Sequence, residues 1–310
     1  MEKILQTTLR QVINCNGIGL HSGAKVKLRI KPSPAHYGIW FKRTDITKKD
    51  NMIAAHYLNV TESLLCTTLA NESGASISTV EHLMAALAGC GIQNALIEVD
   101  GPEIPIMDGS SDWFVRKILS GGIKQLLEPV SVIYVKKEVT VRTDDSYARI
   151  VPSDQLSIFF EIDFEDEAIG YQKKSLNMSN GSFVRELSNS RTFCRNSDVE
   201  AMRRNGLALG GSLQNAIVVN GKNILNPEGF RYKDECVRHK MLDVLGDLSL
   251  IGAPIVGAFS GSKSGHSLTN KLLRKLLSDP SAFKMCLCSE ETASILPGVG
   301  VVEEDLPSLY

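Results

Sequence analysis

The chain has 310 residues and a mass of 33.9 kDa, a length that fits about two domains. Hydrophobic residues at 43% and charged residues at 22% are a globular mix and argue against disorder, collagen and coiled coil. Lys plus Arg total 34 against 35 Asp plus Glu, a net charge of -1, so the basic excess of a nucleic-acid binder is missing and no nucleic-acid partner is expected.

The N-terminal stretch MEKILQTTLRQVINCNG lacks the apolar run of an export signal, so a cytoplasmic protein is expected. The turn GIGLHSG then leads into Ala24–Ile30, where Val26, Leu28 and Ile30 alternate with Lys25, Lys27 and Arg29 as in a half-buried strand. Residues 44–51 read as a polar loop. A helix is predicted from Ser78, with Ser78 as N-cap and Glu81 closing a capping box, running to Gly89-Cys90-Gly91. A strand at Asn94–Val99, a Gly101-Pro102 turn and a helix at Ser111–Leu119 follow.

The second half repeats this order, opening on a strand at Leu156–Phe164. A helix is predicted over Asp234–Ile251, stopped by Gly252-Ala253-Pro254. Then come a strand at Ile255–Phe259, the loop SGSKSGH and a helix at Asn270–Leu277. Two halves with few identities suggest an internal duplication joined near Gly121–Val132. Strands and helices do not alternate strictly, which favours α+β layered domains over a doubly wound sheet. The longest apolar stretch, Leu248 to Phe259, is too short for a membrane span.

Chemistry is concentrated in a few places. His239 and Asp243 lie four apart on a predicted helix, so an imidazole and a carboxylate share one face and could grip a metal ion; Asp247 extends the row by a turn. The opposite stripe, Met241, Leu245 and Leu248, would enter the core. The same row also reads as a solvated i,i+4 pair worth a few tenths of a kcal/mol. Glu81-His82 offers a general base beside a third ligand, or else a cap beside a core histidine. His266, in a Gly/Ser loop, could be a general acid oriented by Asp247, or a surface histidine.

Lys240, Lys263 and Thr192 could steady an oxyanion or a phosphate. Gly210-Gly211 makes neither a dinucleotide fingerprint nor a Walker loop. The seven cysteines, at 15, 66, 90, 194, 236, 286 and 288, contain no C-x-x-C pair. They read as buried thiols, Cys66 included, and not as a disulfide framework or a sulfur-rich zinc site. A closed structural site would need a fourth protein ligand, Cys66 or Asp247 being the candidates.

Taken together, Ser78-Thr79-Val80-Glu81-His82-Leu83, Pro102-Glu103-Ile104-Pro105-Ile106-Met107-Asp108-Gly109-Ser110, Arg238-His239-Lys240-Met241-Leu242-Asp243 with Gly246-Asp247, and Lys263-Ser264-Gly265-His266 strongly resemble one family. It is the UDP-3-O-acyl-N-acetylglucosamine deacetylase family of Gram-negative bacteria. Gly17-Ile18-Gly19-Leu20-His21-Ser22-Gly23 and Ser190-Arg191-Thr192-Phe193 match it too. The resemblance spans roughly residues 5 to 280.

The resemblance implies zinc-dependent hydrolysis of the substrate's acetamide, the committed step of lipid A synthesis. It implies His82, His239 and Asp243 as zinc ligands, Glu81 as the base, and His266 as a cationic acid held by Asp247. Thr192 and Lys240 would line the tetrahedral intermediate, and Phe193 and Lys263 the substrate cleft. It implies two similar α+β domains, here 1–125 and 126–310, facing one cleft. An apolar acyl-chain passage is expected near Asn196–Val219, walled by Val199, Met202, Leu207, Ala208, Leu209 and Ala216. Its mouth, Cys194-Arg195-Asn196-Ser197, is more polar than the family implies. A monomer with no stable membrane insertion is expected, with room for transient inner-membrane contact because the substrate is amphiphilic. Another metal-dependent amidohydrolase, acting on a different N-acetylated sugar, is the alternative.

Overall fold

The computed structural model describes residues 4–61 and 65–308. Its first half is built on a five-stranded sheet: β1 (Ile13–Ile18), β2 (Lys25–Pro32), β3 (Ile39–Arg43), β4 (Met52–Ala54) and β5 (Ala95–Val99). On β2 the alternation does what the pleat requires, burying Val26, Leu28 and Ile30 while Lys25, Lys27 and Arg29 face water. The strand order is β1-β2-β5-β3-β4, with β5 and β3 parallel and every other pair antiparallel.

The second half carries β6 (Val139–Arg142), β7 (Tyr147–Val151), β8 (Ser157–Asp163), β9 (Tyr171–Asn177) and β10 (Ala258–Ser262). Its order is β6-β7-β10-β8-β9, again with one parallel pair, β10 and β8, at the same place. Two stretches of chain that share strand order and strand direction are an internal duplication in structural form. The chain crosses between halves at Pro129–Ser131. Ile123–Pro129 still pairs with Leu5–Leu9, whereas Ser131–Val135 pairs with Ile255–Val256 and Phe283–Leu287.

The longer helices are α1 (Glu81–Gly89), α2 (Asp112–Gly121), α3 (Asn196–Arg204), α4 (Glu235–Ser249) and α5 (His266–Ser278). Helix α1 is apolar nearly all round, so it is buried on all sides, and its partner is α4. Helices α4 and α5 pack on the second sheet, and the α1–α4 contact joins the two halves. Gly246 permits that contact: a Cβ there would sit 2.1 Å from the Glu81 carbonyl oxygen, inside van der Waals radii. One contiguous core runs from Leu9 to Ala282 through both sheets.

Three expectations are corrected. The strand expected over Ile255–Phe259 is two strands in different sheets, Ile255–Val256 and β10, broken at Gly257. The chain passes so close to Val135 there that a Cβ on Gly257 would lie 2.7 Å from its Cγ2. Helix α5 begins at His266, one turn before Asn270, because Gly265 takes an extended N-cap conformation. The capping box at Ser78 is absent: Thr79 is left-handed (φ 56°), so the helix starts at Glu81 with Val80 as N-cap, and the Ser78 hydroxyl donates to the Pro102 carbonyl.

Residues 193–224 add a small sheet, Phe193–Arg195 parallel to Ile217–Asn220, with α3 between them and Asn223–Ile224 outside. Among the described residues no helix is long and apolar enough to cross a membrane.

Candidate active site

The close α1–α4 approach brings residues from the two halves together. His82 leaves the first turn of α1; His239 and Asp243 leave one face of α4. His82 Nε2 lies 3.6 Å and His239 Nε2 3.4 Å from Asp243 Oδ1. The imidazole rings stand edge-on at 4.9 Å and 89°. All three residues are at most 5% exposed. Among the described residues this is the one group of three or more metal-capable side chains whose donor atoms gather within 4.8 Å.

The details fit a cation. Asp243 Oδ1 is buried and has no hydrogen-bond partner, an expensive state for a carboxylate oxygen unless something else occupies it. The Ser190 carbonyl lies 3.0 Å from His239 Nδ1 and accepts a hydrogen bond from its N–H, which leaves the Nε2 lone pair facing the cluster. Burial first, and then His239, pushes His82 down to about 3, and burial also lowers His239. Burial thus favours the neutral form of both rings, the form a metal ligand needs. Burial opposes ionisation of Asp243, but His239 and Lys240 hold its carboxyl below the usual carboxylate range. The Lys240 ammonium binds the other oxygen, Oδ2, at 2.8 Å, so Oδ1 alone faces the histidines. Two imidazoles and one carboxylate suit zinc with an open position.

Beside this cluster stand two titratable groups with shifted pKa values. Glu81 is 3% exposed, and burial pushes its carboxyl up to about 7 against the pull of His266. Its Oε2 accepts from the Thr67 backbone N–H at 3.0 Å, and its Oε1 faces His266 Nε2 at 3.7 Å. Burial would lower His266, and the positive end of α5 adds to that; Asp247 and Glu81 outweigh both and hold it up at about 9. Its Nδ1 donates to Asp247 Oδ2 at 2.8 Å.

Asp247 thus leaves the His239–Asp243 row. Its oxygens are taken by His266 and by the Thr67 hydroxyl, which donates to Oδ1 at 2.6 Å, so Asp247 is not a fourth ligand. Nor is Cys66 part of the ligand cluster; burial, then Glu81, pushes its thiol up to about 11, well away from thiolate.

A cavity of about 890 Å³ opens onto Glu81, His82, His239, Asp243 and His266. Thr192, Phe193, Lys240 and Lys263 line it as well. Phe193 packs edge-on against His239 at 6.3 Å. The Lys263 ammonium, at the exposed rim, pairs with Asp163 at 3.0 Å. Of the expected passage residues, Val199, Met202, Ala208 and Ala216 line the cavity, joined by Leu20, Leu213, Val218 and Leu225. Leu207 and Leu209 are not in its wall, and Leu209 is 54% exposed. The polar Cys194-Arg195-Asn196 does lie in the wall.

Sequence reasoning missed Thr67 and Glu103. Glu103 is fully buried and accepts from His21 N, Ser22 N and Thr79 Oγ1, pinning the GIGLHSG turn beside the α1 entry. Its signal was a charge inside the apolar PEIPI run.

Fold and site define a duplicated α+β protein with a buried His–His–Asp cluster that could hold a metal ion, flanked by one carboxylate and one carboxylate-paired histidine, a constellation suited to hydrolysis. The sequence pattern of the UDP-3-O-acyl N-acetylglycosamine deacetylase family matches residues 6–278, and the chain belongs to that family. It is 48% identical over 283 residues to the UDP-3-O-acyl-N-acetylglucosamine deacetylase of Actinobacillus succinogenes, covering 91% of this chain and 92% of that one. Its identity to the protein of the same name from Myxococcus xanthus is 46% over 281 residues (90% and 88% of the two chains). For that from Vibrio parahaemolyticus it is 45% over 293 residues (94% and 96%).

Proposed function

We propose that the chain hydrolyses the acetamide of UDP-3-O-acyl-N-acetylglucosamine, giving UDP-3-O-acyl-glucosamine and acetate, the committed step of lipid A synthesis in the cytoplasm. The observation that carries this reading is the facing of Glu81 Oε1 and His266 Nε2 at 3.7 Å beside a three-donor cluster in one large cavity. Nε2 of His82, Nε2 of His239 and Oδ1 of Asp243 would hold one Zn²⁺, which when bound polarises the acetamide oxygen and makes water acidic enough to react near neutral pH.

The chain's own groups supply the rest. Glu81 takes the proton of the attacking water on Oε1, the oxygen that Thr67 leaves free. His266, protonated and anchored through Nδ1 by Asp247, delivers its Nε2 proton to the departing amine. Lys240 and Thr192 border the carbonyl oxygen as negative charge develops there. Phe193, Val199, Met202, Ala208 and Ala216 offer an apolar wall to the acyl chain, and Lys263 at the rim suits the UDP phosphates. The two halves, expected as 1–125 and 126–310 and meeting where the chain crosses at Pro129–Ser131, would act as two domains, each supplying part of one site.

Acetate release from this substrate should disappear after chelation and return with one equivalent of zinc. Release unaffected by the chelator would refute the metal's role, and equal turnover of an acyl-free N-acetylated sugar would shift the substrate assignment. His239→Ala should lose zinc affinity and turnover together; a variant that keeps stoichiometric zinc would remove His239 from the ligand set.

A further inference from the structure

Two of the site's groups are tied to one residue that lies 14 positions before Glu81 and 180 before Asp247. Thr67 is 2% exposed. Its backbone N–H binds Glu81 Oε2 at 3.0 Å, and its hydroxyl binds Asp247 Oδ1 at 2.6 Å. Its carbonyl accepts from Val80 N at the entry of α1, which fixes the residue in place. Each bond removes one of two equivalent carboxylate oxygens from competition. With Oε2 occupied, Glu81 presents Oε1 to the site. With Oδ1 occupied, Asp247 presents Oδ2 to His266 Nδ1, which points Nε2 at Glu81. Asp247, bonded at both oxygens, cannot turn about its Cβ–Cγ bond without breaking one of the two bonds.

We infer that Thr67 is a positioning residue that sets, from the first half of the chain, the working oxygen of the base and the orientation of the acid–carboxylate pair contributed by the second half. The inference rests on the roles proposed above for Glu81 and His266. Its energetic logic is preorganisation: the hydroxyl touches no reacting atom, yet a slack Asp247 would let the imidazole leave the geometry in which proton transfer is productive.

The test compares Thr67→Val, Thr67→Ala and Thr67→Ser in acetate release, with zinc content and circular dichroism measured on each. Thr67→Val keeps the main-chain N–H and the shape and drops the hydroxyl. It should lower kcat about tenfold or more with KM and zinc unchanged, since a tenfold loss is about 1.4 kcal/mol of barrier. Thr67→Ala should match it, and Thr67→Ser should stay within about twofold of the parent. In an Asp247→Ala background the Thr67→Val loss should vanish, because the hydroxyl acts through that carboxylate. Additive losses in the double variant, a Ser variant as poor as Val, wild-type kcat in Val, or loss of fold in both Val and Ala would each overturn the assignment. Glu81→Gln in the same assay separates the two levels: if it turns over normally the catalytic reading fails, whatever Thr67 does.

Discussion

Glu81→Gln is expected to lose on the order of 10²–10⁴-fold in turnover, roughly 3–5 kcal/mol of barrier, while keeping fold and zinc. The fold should survive because a glutamine side-chain oxygen can still accept from Thr67 N, and because the residue caps nothing: α1 begins without a side-chain cap. Zinc should stay because Glu81 lies outside the His82–His239–Asp243 donor set. What disappears is the proton acceptor alone. Burial lifts this carboxyl to about 7, which makes it a better base than an ordinary glutamate while leaving it ionised above neutrality. Single-turnover acetate release, run beside metal analysis, decides the matter. Near-normal turnover in a zinc-loaded Gln variant would take the base role away from Glu81.

The second large effect concerns pH. The proposed reaction needs Glu81 deprotonated and His266 protonated, so the profile of kcat/KM should be a bell. Activity rises as pH passes the Glu81 value, about 7, and falls as pH passes the His266 value, about 9. A bound divalent cation favours the carboxylate and disfavours the imidazolium, so both limbs of the loaded protein should move to lower pH together. His266→Ala should lose on the order of 10²–10³-fold and with it the alkaline limb. An alkaline limb that survives unchanged in that variant belongs to another group, and the acid would have to be sought elsewhere.

The charge balance explains why these two groups depend on each other. Glu81, Asp243 and Asp247 bring three carboxylates into one buried region, against Lys240 and a protonated His266. Without a cation that region carries one excess negative charge, and a divalent ion in the His–His–Asp cluster would turn it to one excess positive charge. In the proposed reaction, an oxyanion on the substrate would then meet a favourable field without further rearrangement.

Much of this was legible in the chain. The i,i+4 spacing of His239 and Asp243 on a helix is a local geometric fact, so their common face followed from the sequence. The alternation in β2 placed Val26, Leu28 and Ile30 inward for the same reason. Glu81 and His82, being adjacent, had to leave one turn together. The motifs also carried the family. At Asp247 the sequence offered two places, the next member of the α4 row and the partner of His266; the carboxylate bonds His266, with Thr67 on its other oxygen. Spacing misled at Ser78, where a left-handed Thr79 turned a plausible capping box into an ordinary turn and freed Glu81.

The sequence by itself determined which side chains could do chemistry and which elements would carry them, because helix and strand periodicities are short-range properties of the chain. The tertiary structure alone decided how those groups meet. The α1–α4 approach depends on the missing side chain of Gly246, the break at Gly257 sends neighbouring residues into different sheets, and Thr67 reaches Asp247 across 180 positions. Pairings of that kind arise from packing two halves against each other, and no local pattern encodes them.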